Sequence, residues 1–128
     1  MTRQSTRSPL ARAIGLGSAK SGVENWWFER LSAVALVPLT VWFVASIIAH
    51  VNSDYGTFIA WLGAPFTTVT MVLLLIALFY HTALGLQVVI EDYVHGTAKL
   101  PLLVALRLGC FALAVTGILA NLRIALGR

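Results

Sequence analysis

His81, Asp92 and Tyr93 are the residues of this chain best placed to do chemistry. His81 lies inside an apolar run, and the run ends abruptly in Glu91, Asp92 and Tyr93. An ionisable side chain in hydrocarbon is costly to insert and is normally aimed at a partner, a proton path or a ligand. At about 100° per residue on a helix, His81, Gly85, Val88 and Asp92 share one face, and His81 and Asp92 stand roughly 16 Å apart along the axis. One helix therefore presents an imidazole within the bilayer and a carboxylate with a phenol at its edge.

Two kinds of chemistry suit these groups. A transmembrane histidine can supply one axial ligand of a low-spin haem if its other ring nitrogen is held by a hydrogen bond, for example to a backbone carbonyl one turn earlier. Gly85, one turn along the same face, would let a flat macrocycle approach the backbone. His50 and His95 fall at helix ends, so the second axial ligand would have to come from another chain or another copy. The alternative is a neutral histidine hydrogen-bonded inside a helix bundle. Asp92 and Tyr93 suit a quinone headgroup, which needs a phenol-type donor to a carbonyl oxygen and an ionisable neighbour to manage protons. Tyrosine and polar residues also end many spans as plain interface anchors. Arg30 either clamps a carboxylate such as a haem propionate or snorkels to the membrane edge. Spacing alone leaves each of these pairs of readings open.

Composition says what must position such groups. The chain has 128 residues, 59% hydrophobic and 11% charged, with mean hydropathy +0.86. A soluble domain is about 45–50% apolar and 25% charged, so this is an integral membrane protein. Its length allows three or four spans and no sizeable soluble domain. The net charge of +4 does not point to nucleic acid, because the basic residues sit in the N-terminal tail and at the ends of apolar runs, where headgroups and topology account for them. The single cysteine, Cys110, rules out an internal disulfide and reads as a packing residue.

Residues 1–20 carry Arg3, Arg7, Arg12 and Lys20 with no acid, and read as a flexible basic tail. An Arg- and Ser-rich, acid-free start also fits a mitochondrial transit peptide, but not a secretory signal, because the first apolar run begins only at Leu31. Ser21 and Glu24 fit a capping box, and predict an interfacial helix start ahead of the aromatic group Trp26, Trp27 and Phe28. Three charge-poor runs follow, over about 31–51, 66–90 and 102–122, and the fold expected is all-α with three spans over residues 21–128. Pro38 should bend the first span, and Pro65 suits the first position of the second. Asn52 to Gly56 is a turn cluster, and Thr57 to Ala64 a short apolar piece suited to the membrane surface. Arg107 interrupts the third run near its start, where it snorkels or pairs with Glu91 or Asp92. Arg3, Arg7, Arg12, Lys20, Arg30, Lys99 and Arg107 fall on one side of a three-span topology, against Arg123 and Arg128 on the other, so the N-terminus, Asp92 and Tyr93 are expected inside and the C-terminus outside.

The chain resembles the hydrophobic membrane-anchor subunit of succinate dehydrogenase (respiratory complex II), in its haem b-ligating form with the pattern H-x3-G-x6-D-Y. Here the pattern is His81, Gly85, Asp92 and Tyr93, and the entry Gly17-Ser-Ala-Lys-Ser-Gly-Val-Glu-Asn-Trp-Trp27 and exit Val89-Ile-Glu-Asp-Tyr-Val-His95 are also similar to the family. The likeness covers about residues 17–125. It implies that His81 ligates the iron of haem b, with the other ligand from a second membrane-anchor subunit. It implies that Tyr93 and Asp92 belong to a ubiquinone site near the iron–sulfur subunit, and that Arg30 lies near the haem propionates. Docking of the flavoprotein and iron–sulfur subunits on the inner face is implied too, with succinate oxidised outside this chain, in a bacterial inner membrane or, alternatively, a mitochondrial one. Some members have a histidine where this chain has Glu24, so no proton-delivery role passes to that position. Two rivals remain: a fumarate reductase anchor, and a small multi-span structural or transport protein in which His81 and Asp92 form a proton relay.

Overall fold

The computed structural model describes residues 19–127. The basic tail read from the sequence lies outside them, except for Ala19 and Lys20, which are already helical. Four helices follow, α1 (Ala19–His50), α2 (Tyr55–Gly63), α3 (Pro65–Tyr93) and α4 (Lys99–Ala125). α1 thus runs two residues ahead of the Ser21 cap expected from the sequence, and the Ser21 side chain lies outside the described residues.

Three helical stretches, Trp26–His50, Pro65–Tyr93 and Lys99–Ala125, are long and apolar enough to cross a membrane. At 1.5 Å per residue a helix of about 20 residues spans the hydrocarbon core, so each has length to spare. Leu74 is the one buried hydrophobic side chain among the described residues, while leucines, valines and isoleucines project outward from all three helices. Helices apolar all round are stable in lipid or against other apolar helices, not in water.

α3 occupies the centre, packed against α1 on one side and α4 on the other. Between α3 and α4 a small residue sets the spacing: a Cβ added at Gly117 would stand 3.3 Å from Leu75 Cδ1. Two hydroxyls within the apolar helices are satisfied by their own backbone, Thr70 donating to the Phe66 carbonyl (2.8 Å) and Thr116 to the Ala112 carbonyl (2.8 Å), while Thr68 donates to the Leu62 carbonyl of α2 (3.2 Å). At the α2 end of the bundle, the buried Asn121 of α4 donates to the Thr68 carbonyl of α3 (3.1 Å).

The turn after α1 is shorter than its sequence suggests, because α2 begins at Tyr55 and takes in Gly56. Asp54 is the reason. As N-cap it accepts from the Thr57 amide (3.4 Å) and the Thr57 hydroxyl (2.6 Å), and these bonds hold its carboxyl below the usual carboxylate range. α2 is pinned at its other end by Gly63, where an added Cβ would meet the Ile124 carbonyl oxygen at 3.4 Å. His50 ends α1 stacked on Trp61 of α2, with ring centroids 4.5 Å apart, as suits an interfacial side chain. Pro65 opens α3 at its first position, as expected of a residue without an amide proton.

Candidate functional site

His81 faces α1. Its Nδ1 lies 3.1 Å from the Ser32 hydroxyl, and that hydroxyl lies 2.8 Å from the Glu29 carbonyl oxygen one turn earlier on α1. The hydrogen bond expected to hold the ring, for which a backbone carbonyl one turn earlier is one example, here crosses between helices. Ser32 is only 8% exposed and His81 is half-buried. Phe28 of α1 and Tyr80 of α3 pack edge to face at 6.3 Å beside this contact and fix the same pair of helices.

On the same face, Gly85 has nothing within 4 Å of the position a Cβ would take. The surface beside His81 is open, as a large flat group would require. Among the described residues no three His, Cys, Asp or Glu side chains come together as a metal site, so a metal held by His81 would draw its remaining ligands from outside this set. The donor set therefore fits a haem iron: one imidazole with Nδ1 engaged and an open, apolar flank.

Asp92 and Tyr93 end α3 and are exposed, Tyr93 at 81%. Val94 caps the helix by donating its amide to the Ile90 carbonyl (2.9 Å), so the chain turns away directly after the pair. Asp92 keeps the His81 face, offset by about 20° on an ideal helix, whereas Tyr93 is turned about 120° from it. Arg30 is exposed, its guanidinium 4.8 Å from the centre of the Trp26 ring. It stands about 200° around α1 from Ser32. The structure thus joins His81 to α1 but brings neither Arg30 nor the Asp92–Tyr93 pair up to it.

Arg107 reaches Glu91 through an intermediary. It donates to Gln87 Oε1 (2.9 Å), and Gln87 Nε2 donates to Glu91 Oε1 (3.0 Å). Of the two readings, snorkelling or pairing with Glu91 or Asp92, the structure shows an indirect form of the second, an amide relay that ties α4 to α3 at the end of α3 carrying Asp92. Beside it, a groove of about 570 Å³ between α3 and α4 is lined by Tyr80, Leu84, Gln87, Arg107 and Cys110 among others. The groove lies on a different face of α3 from His81.

Ser32, Gln87 and Asp54 are the participants that the sequence did not single out. Ser32 carried one faint signal: it is the first polar residue after Arg30 in a run otherwise nearly free of polar groups.

Comparison with known proteins agrees with this architecture. Residues 4–120 match the family described as succinate dehydrogenase/fumarate reductase transmembrane subunit. A succinate dehydrogenase hydrophobic membrane anchor subunit of Rickettsia bellii is 38% identical over 88 residues, covering 69% of this chain and 70% of that one. The protein of the same description from Paracoccus denitrificans is 31% identical over 121 residues, 94% of this chain and 93% of its own, and that from Rickettsia conorii is 29% identical over 116 residues. With three apolar helices, a histidine on the central one and a family match over most of its length, the chain belongs to the succinate dehydrogenase/fumarate reductase transmembrane subunit family.

Proposed function

We propose that this chain is the membrane-anchor subunit of a succinate:ubiquinone oxidoreductase, sharing haem b and the ubiquinone site with a second membrane-anchor subunit. The carrying observation is His81, an imidazole inside a long apolar helix with Nδ1 engaged and an open glycine flank at Gly85. Family membership favours the anchor over a transporter with a His81–Asp92 proton relay. The relatives' names favour succinate dehydrogenase over fumarate reductase.

In this reading His81 would hold the haem iron through Nε2. Haem b, when bound, supplies a one-electron redox centre within the hydrocarbon layer. Tyr93 donates its phenol proton in a hydrogen bond to a ubiquinone carbonyl oxygen, and Asp92 exchanges protons with the aqueous side as the quinone is reduced. Arg30 would pair with a haem propionate. The positive-inside distribution puts the N-terminus, Asp92 and Tyr93 inside and the C-terminus outside, with residues 1–20 a basic tail on the inner face and residues 21–128 the anchor. The flavoprotein and iron–sulfur subunits dock on that inner face, and the bacterial relatives support a bacterial inner membrane.

Affinity purification of the full chain from its native membrane tests this assignment. Expected are a second small membrane chain, a flavoprotein, an iron–sulfur protein and a b-type band in the reduced-minus-oxidised spectrum. Isolation of the chain without those subunits and without that band would favour the transporter.

A further inference from the structure

We infer that Ser32 is a positioning residue for His81: its hydroxyl selects the Nδ1-protonated tautomer and sets the plane of the ring. The inference rests on the haem-ligand reading of His81. The argument is a count of protons. The Ser32 hydroxyl has one proton, and the Glu29 carbonyl, 2.8 Å away, can only accept it. Toward His81 Nδ1, at 3.1 Å, the serine oxygen therefore offers a lone pair. The proton between them belongs to Nδ1, and in the neutral ring Nε2 is left with the free lone pair that a metal ligand needs.

Other hydroxyls on these helices show what is particular about Ser32. Thr70 and Thr116 also donate to a carbonyl one turn back, yet neither oxygen accepts from another side chain. Ser32 uses its second bonding capacity across the helix interface, in a site where it is only 8% exposed. Donation to Glu29 also polarises the hydroxyl and makes its oxygen the better acceptor. The imidazole plane is consequently held by α1, not by α3 on which it is carried. Without the hydroxyl, Nδ1–H has only the local carbonyls of α3 to turn to, and the ring must rotate about its own helix to reach them.

The test compares Ser32→Thr with Ser32→Val in the purified complex. The two side chains have nearly the same shape and differ in the hydroxyl. The expected result is near-wild-type low-spin EPR g-values and haem retention for Thr, against shifted g-values and about tenfold looser retention for Val, the lower end of the range for outer-shell partners. Ser32→Ala, which adds no bulk, is expected to behave as Val and serves where β-branched side chains impair assembly. Wild-type g-values and retention in both Ala and Val would overturn the inference, as would equal disturbance in Thr and Val. His81→Ala separates the two levels of the argument. If it keeps the wild-type haem signal the ligand reading itself fails, whereas its loss alongside an unaffected Ser32→Ala leaves the ligand in place and removes only the role of Ser32.

Discussion

Nδ1 of His81 on α3 stands 3.1 Å from the hydroxyl of Ser32 on α1, across 49 positions of sequence. This contact adds a polar tie to two helices otherwise joined by packing such as Phe28 on Tyr80 and Trp42 on Phe66, since dispersion packing and hydrogen bonds must do between membrane helices what water exclusion does in a soluble core. It also divides α3 by face. The His81 side is committed to α1, the side bearing Leu84 and Gln87 looks toward α4 and the groove beside it, and Tyr80 borders both.

Tyr93→Phe removes a hydroxyl from an exposed helix end and should leave the fold unaffected. One neutral hydrogen bond is worth about 1 kcal/mol, so quinone reduction by the complex should slow by about fivefold. Succinate oxidation with an artificial soluble acceptor should continue at the wild-type rate. Parallel loss of both activities would contradict the role given to the phenol.

The spacing of α3 and α4 should be sensitive at Gly117 and insensitive at Gly109. A side chain at Gly117 meets Leu75 at 3.3 Å, whereas nothing lies within 4 Å of a Cβ at Gly109. Gly117→Leu should destabilise the helix pair by about 1–3 kcal/mol through overpacking, and Gly109→Leu should change little. Thermal unfolding of the detergent-solubilised complex reads the difference. An unchanged midpoint for Gly117→Leu would contradict the close approach.

α2 should lose protection in acid. Hydrogen bonds from Thr57 lower the folded pKa of Asp54, so the cap contributes fully above the unfolded value of about 3.9 and is lost as pH falls through the lower folded value. Amide hydrogen exchange over Thr57–Trp61, corrected for its intrinsic pH dependence, should quicken in that window. Asp54→Asn, which keeps an accepting oxygen and does not titrate there, should remove the pH dependence. An identical acid response in Asp54→Asn would assign the effect to another group.

The fold was largely legible because its signals are local. Charge-poor runs give the spans, Pro65 marks the start of α3, and an intramembrane histidine is conspicuous against leucine and valine. The partners of the functional groups were not legible, because they are set by how helices rotate against one another. Ser32 and His81 meet only when α1 packs on α3, and nothing in a period of 3.6 residues specifies that pairing. Arg107 and Glu91 were readable as opposite charges at one membrane edge, but the Gln87 amide between them depends on side-chain reach across the helix pair. The early start of α2 had a readable cause in Asp54 and Thr57, an acceptor three residues ahead of a donor, which the surrounding turn-forming residues concealed.

The most direct test of the account is the reduced-minus-oxidised optical spectrum of the purified complex carrying His81→Ala, beside wild type. With one of two axial ligands removed, the b-type band should be lost or strongly altered while the flavoprotein and iron–sulfur subunits still co-purify. A wild-type b-type band in the assembled His81→Ala complex would contradict the assignment of His81 as a haem ligand.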